Sequence, residues 1–258
     1  MTAQDWLDKI MAAHGGMERW RRTECIEADF SSGGLAFTLH MQATALHNLK
    51  IKVWPHDQRV ELHDFTQPGW TGLWTPDHVQ LLDGSGQRVD ERRQPRQAFG
   101  GLVKQVRWDR LDILYFAGYA LWNYLSFPFL LRNPGCRVLD ADTDKSTENI
   151  RLQVRFDPTV PTHSMYQTFH VHADGTLVRH DYTADVIGPW AKAANQCLES
   201  VQVGGLRFYT RRRVTPRLGK DTVLPGPTLV WIELRNMRLI EGAVPETTAA
   251  DLSASPGD

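Results

Sequence analysis

Cysteine is scarce, neither sign of charge is in excess, and no apolar run is long enough to read as a membrane span. Only three cysteines occur among 258 residues, Cys25, Cys136 and Cys197. They are odd in number and far apart, with no CxxC pair and no Cys/His zinc spacing. That excludes a disulfide scaffold and fits a reduced protein with structural thiols. The 29 basic residues are matched by 30 acidic ones, so the basic excess of a nucleic-acid binder is missing. Met1 to Trp6 has no basic n-region, and Asp5, Asp8 and Lys9 interrupt the stretch that follows. A signal peptide does not read that way, and with the reduced thiols this predicts a cytoplasmic protein. No GxSxG elbow, Walker loop, dinucleotide fingerprint or HExxH pair is present, so no cofactor is implied.

What is there has the composition of a soluble globular protein, 41% apolar and 23% charged, with enough length for a sizeable core. Trp6, Leu7, Ile10 and Met11 form one helical stripe over Asp5 to Ala13, with Thr2 or Asp5 as cap and Gly15–Gly16 as the stop. Met17 to Arg22 adds a short second turn. The period then becomes two: Ile26, Ala28 and Phe30; Leu35, Phe37, Leu39, Met41 and Ala43; Leu49, Ile51 and Val53. These predict half-buried antiparallel strands, with more near Arg59–Phe65, His78–Leu82 and Gln87–Glu91.

The 19 residues from Ile113 to Leu131 carry no charge, and their apolar positions from Leu111 follow a helical period. Pro128 ends that helix by Phe127. The remaining ~16 residues reach ~24 Å, short of a ~30 Å hydrocarbon core. A helix buried inside the protein is therefore expected, with no stable membrane insertion. After Asn133–Gly135 strands resume at Ile150–Phe156. Asp174–Gly175 predicts a hairpin between Met165–Ala173 and Thr176–Asp185, and Gly204–Gly205 another between Asn195–Val203 and Leu206–Val214. Leu229 to Arg238 is the last strand. Residues 1–240 are expected to form a single domain, followed by a small, polar, disordered tail over 241–258.

About ten strands and one apolar mid-chain helix predict an α+β fold. In it a strongly curved antiparallel β-sheet, a half-barrel, wraps around the long helix, with an N-terminal helix outside. This order resembles the LolA/LolB-like half-barrel of bacterial lipoprotein carriers. His14–Gly15–Gly16 with Trp20, Tyr115–Leu131, His180–Val186, Thr210–Val214 and Pro225–Ile232 resemble a group of uncharacterised bacterial proteins. The resemblance implies an apolar cavity and brings no known reaction.

His180, Asp181 and Tyr182 occupy consecutive strand positions, so His180 and Tyr182 share one face and Asp181 takes the other. A two-residue turn at Asp174–Gly175 sets His180 beside Phe169 on the apolar face; a three-residue turn with a bulge puts Asp181 there instead. Either way one acid/base group enters an apolar interior, with His163 as a second titratable group. His170 and His172 share a strand face, but nothing completes a metal coordination set. Arg211, Arg212 and Arg213 guarantee an inward arginine able to grip a carboxylate or phosphate or to pair with Asp181. Arg211 and Arg213 are carried as ligand anchors, with the inward member of the three left open. Tyr119, Trp122 and Asn123 on the helix supply aromatic walls and a polar anchor, and Trp70 and Trp74 in the Gly- and Pro-rich Gln67–Thr75 loop cover the pocket mouth. The expected function is binding of an apolar or amphipathic small molecule between sheet and helix. The alternative is a cofactor-free acid/base enzyme, an isomerase, cyclase or hydrolase, in the same cavity, using His180, Asp181, Tyr182 and His163.

Overall fold

The computed structural model describes residues 1–144, 147–219 and 222–242. Two helices lead: α1 (Ala3–Ala13), with Thr2 and Asp5 forming a reciprocal capping box, and α2 (Met17–Arg22). A first run of strands follows: β1 (Thr23–Gly33), β2 (Leu49–Trp54), β3 (Arg59–His63), β4 (Thr71–Thr75), β5 (His78–Leu82) and β6 (Arg88–Arg93), with the single-turn α3 (Leu35–Leu39) between β1 and β2. Helix α4 (Arg110–Ser126) divides these from the second run. That run comprises β7 (Cys136–Thr143), β8 (Ile150–Phe156), β9 (Tyr166–Val171), β10 (Leu177–Thr183), β11 (Lys192–Val203), β12 (Leu206–Leu218), β13 (Thr222–Val223) and β14 (Val230–Glu241).

All pair into one antiparallel sheet of fourteen strands, larger than the ten or so expected, in the order β6-β5-β4-β3-β2-β1-β14-β12-β11-β10-β9-β8-β7, with β13 alongside β12. The two meanders meet where β14 returns to lie between β1 and β12. The sheet is open, and both its outer strands carry charges, Arg88, Asp90 and Arg92 at one edge and Arg137, Asp140 and Asp142 at the other. Charged edges of this kind discourage edge-to-edge pairing.

The chain passes from one edge to the other through α4. Asp109 caps the helix, accepting from Leu111 N (2.9 Å) and Asp112 N (3.0 Å), while Asp112 accepts from Asp109 N at 2.9 Å. Arg92 donates to Asp112 at 2.7 Å, tying the helix start to the sheet edge. The helix is 17 residues long and is buried from Leu111 to Ser126. It packs on β2 to β6 and on β12. Burial on every side explains why its sequence is apolar all round rather than in a stripe.

Two expected elements differ. Leu35 to Ala43 forms no strand: α3 and turns occupy 35–48, with Phe37 buried and Leu39 and Met41 exposed. Thr71–Thr75 belongs to a strand, not a loop, and Trp74 is fully buried in it. At the C-terminus, Glu241 still pairs with Thr23 as part of β14. The remainder of the expected tail, from residue 243, lies outside the described residues.

Candidate functional site

Strand alternation decides what enters the space between sheet and helix. The β9–β10 ladder begins at Val171 with Leu177 and slips by one at Val178, so that His180 lies opposite Phe169. The two rings stack 4.2 Å apart. His180 and Tyr182 therefore face inward and Asp181 faces out. The turn closes three residues, with His172 N donating to Thr176 O (2.8 Å), and the bulge restores the register of a two-residue turn.

On β12, Phe208, Arg212 and Val214 are buried, while Arg211 is exposed and pairs with Glu199 at 2.6 Å. Arg213 donates to Thr228 Oγ1 (2.9 Å) and Pro225 O (2.7 Å). The inward arginine is thus Arg212, and neither Arg211 nor Arg213 reaches the interior.

Four of the interior polar groups form a hydrogen-bonded chain, and His180 lies beside it. His163, from the segment between β8 and β9, is hydrogen-bonded through Nδ1 to the Tyr119 hydroxyl (3.1 Å) and through Nε2 to that of Tyr124 (2.8 Å). Tyr124 continues to the Tyr182 hydroxyl at 2.9 Å. The His163 ring lies flat on Tyr182, 3.8 Å away. His180 Nε2 donates to Gln167 Oε1 at 2.6 Å. Burial holds both imidazoles well below the usual histidine range; the Arg96 and Arg212 charges add to this at His163, and those of His163 and Arg212 at His180. Burial also raises the phenols, Tyr124 to about 12 and Tyr119 and Tyr182 well above their ordinary value. Near pH 7 the chain is a row of neutral donors and acceptors, suited to passing or presenting a hydrogen bond rather than holding charge.

The remaining sequence candidates are placed elsewhere. Asn123 donates to Tyr119 O (2.7 Å) and Pro161 O (2.6 Å), pinning the His163 segment onto α4. Trp122 donates to Pro55 O at 2.9 Å. Trp74 lies against Gly118 of α4, and Trp70, half-buried, closes the turn after Phe65; they are packing and turn residues, not a cover over a mouth. Asp181 sits on the outer face, only 2% exposed, held by His170 (2.9 Å) and Arg179 (2.9 Å), so it cannot pair with Arg212. Sequence reasoning missed Gln167 and Asn195, and did not single out Arg212 from its neighbours. For Arg212 a signal existed, since it shares parity with Leu206, Phe208 and Val214.

An apolar cavity adjoins the chain. Phe30 and Ile232 of the sheet, Phe116, Ala120 and Tyr124 of α4, Tyr182, and Phe37 of α3 line it, together with Leu46. About 20 Å³ of it admits the centre of a water molecule, room for roughly one water. A larger trough runs along the outer face of β1, β2 and β14, where Glu27 pairs with both Lys52 (2.9 Å) and Arg238 (3.2 Å). His163, His180, Tyr182 and Arg212 are on the other side of the sheet.

No family model and no curated protein matches this chain. Solved structures do. A LolA superfamily protein from Nitrosomonas europaea superposes with a TM-score of 0.50 at 11% identity, over 94% of this chain and 96% of its own. A DUF1329 family protein from Desulfovibrio piger gives 0.48 at 11%, over 92% and 93%. A domain from Vibrio parahaemolyticus, described as a putative outer membrane lipoprotein-sorting protein domain, gives 0.47 at 11%, again over 92% and 93%. The fold is LolA-like. At this identity the likeness is one of architecture and does not carry a function. The cytoplasmic expectation is contradicted and withdrawn: one of these neighbours is described as a putative outer membrane lipoprotein-sorting protein domain. No helix among the described residues is long and apolar enough to cross a membrane.

Proposed function

We propose that this chain binds an apolar or amphipathic small molecule between α4 and the inner face of the sheet. In this reading residues 1–240 act as one half-barrel whose curved sheet wraps the helix. The observation that carries it is the apolar cavity bounded by sheet, α4 and α3, with the Tyr124 and Tyr182 hydroxyl chain along one wall. A drug-sized ligand needs roughly 300 Å³ or more, so the cavity opens as it fills. Segment 35–48 is the part that moves. It belongs to no ladder, puts Phe37 into the cavity, and exposes Leu39 (61%) and Met41 (71%) on its other side. Apolar residues on both faces allow it to exchange one apolar contact for another as the cavity fills. Acid/base chemistry is most efficient with a group that titrates near neutrality, whereas burial keeps His163, His180 and the three tyrosines neutral, which favours binding over catalysis.

Dodecanol titrated against the protein should change tryptophan emission saturably. Ala120→Leu, which fills the cavity from α4, should abolish that response while circular dichroism stays that of the parent. Saturable binding unaffected by Ala120→Leu would place the ligand elsewhere and refute the reading.

A further inference from the structure

Arg212 is 2% exposed, and among the described residues no carboxylate lies within ion-pair distance of it. Its Nη1 donates to the sulfur of Cys197 at 3.2 Å and its Nη2 reaches Tyr124 O only at 3.5 Å. The guanidinium stands over the rings of Tyr124 (4.6 Å) and Tyr209 (5.3 Å), and its Nε has no partner at all. A thiol is a weak acceptor, and two ring faces replace only part of a lost hydration shell. Removing a cation from water without a counter-ion is costly, so the interior holds an uncompensated positive charge. Cys197 does not supply the negative one, because burial raises its thiol above the ordinary range and keeps it protonated near neutral pH. Beside it on β11, Asn195 is completely buried, and its amide interacts with the Tyr124 hydroxyl without reaching normal hydrogen-bond geometry. A buried cation without a counter-ion thus sits beside an amide whose polar neighbour is the Tyr124 hydroxyl.

That place adjoins the proposed cavity. Tyr124 lines the cavity with Tyr182 on one side and borders a second, smaller void with Arg212 and His180 on the other. A ligand tail in the apolar space therefore ends within reach of the guanidinium once Tyr124 gives way. We infer that Arg212 anchors the head group of the ligand, and that the ligand class is an apolar chain ending in an oxyanion of single charge. A carboxylate fits best, since it is planar, takes the two-pronged guanidinium contact, and balances one positive charge. A phosphate dianion would call for a second cation at the same spot.

This inference rests on the binding reading above and is tested so that the two fail separately. Dodecanoate, dodecanol and dodecyl phosphate are titrated against the full chain by tryptophan emission at pH 8. The expected order is dodecanoate tighter than dodecanol by at least tenfold, with dodecyl phosphate weaker than dodecanoate. In Arg212→Met the carboxylate should lose that tenfold advantage while dodecanol binds as before, and Arg212→Lys should restore part of it. Should Arg212→Met not fold, the carboxylate-to-alcohol ratio of the parent protein still decides. Equal affinity for acid and alcohol would overturn the anchor and leave the cavity standing; tighter binding of the phosphate would overturn the carboxylate assignment. No saturable binding of any of the three would overturn the cavity and the anchor together.

Discussion

A carbon added at Gly118 would lie 2.2 Å from Cγ and 2.5 Å from Cβ of Trp74, so this glycine fixes how close α4 comes to β4. Gly72 on the same strand works from the other side, where a Cβ would meet Leu114 at 2.6 Å. Glycine within a strand commonly marks such a close approach of another element. Alanine is worth about 1 kcal/mol more than glycine in a helix interior, yet here the 2.2 Å approach to a fully buried indole puts overpacking at roughly 2–3 kcal/mol, the upper part of its usual range. Gly118→Ala should therefore destabilise the protein by roughly 1–2 kcal/mol net of propensity, as measured by urea unfolding. A neutral or stabilised variant would mean that α4 and β4 are not tightly packed. At this scale legibility was uneven. His180 beside Phe169 was one of two readings open from the turn, and Arg212 was hidden in a run of three arginines although Phe208 and Val214 share its parity. Tyr124 and His163 come together from 39 residues apart, a contact that no local pattern encodes.

Elements with strong punctuation were readable. Thr2 before α1, Asp109 before α4, Pro128 after it, and the Asp174–Gly175 and Gly204–Gly205 turns all sit where the structure begins, ends or reverses an element. Two elements were not readable, for opposite reasons. Leu35, Phe37, Leu39 and Met41 alternate like a strand, but only Phe37 of the four is buried, and one helical turn suffices to direct it inward. Thr71–Thr75 follows Pro68 and Gly69 and contains Gly72, a composition that reads as a loop, although its glycine is there for contact with α4. The cap on α4 can be tested directly. Asp109 accepts two backbone donors and also takes Arg92 (2.8 Å) and Lys104 (3.0 Å). Asp109→Ala should cost about 1–2 kcal/mol, and Asp109→Asn should recover most of the capping part because asparagine caps equally well. Equal losses in both variants, read from thermal melts at matched pH, would assign the stability to the ion pairs rather than to the cap.

On the scale of the whole molecule, the open sheet encloses an interior with several neutral histidines, and this sets its response to acid. His14 is fully buried, with Nδ1 2.8 Å from Ile10 O and Nε2 2.9 Å from the Tyr209 hydroxyl. Burial, which outweighs its contact with Ile10, lowers it to about 4 from an ordinary 6.5, and His163 and His180 are lowered well below theirs by the same cause. In each case the unfolded chain takes up a proton at a higher pH than the folded one. The stability these residues confer is complete above pH 6.5 and is lost as pH falls from there toward the folded value, because the unfolded state binds the extra protons. For His14 alone the loss at pH 5 is roughly 2 kcal/mol. Most carboxylates have not yet protonated at that pH, so the early part of the decline belongs to the histidines. The melting temperature should drop by several degrees between pH 7 and pH 5, since ~1 kcal/mol moves a protein of this size by about 2–4 °C. His14→Gln retains polarity without the titration, and its melting temperature should fall less steeply over the same interval. A melting temperature that stays level from pH 7 to pH 5 would mean that these histidines already reach water in the folded state, and that the interior is wetter than its packing implies.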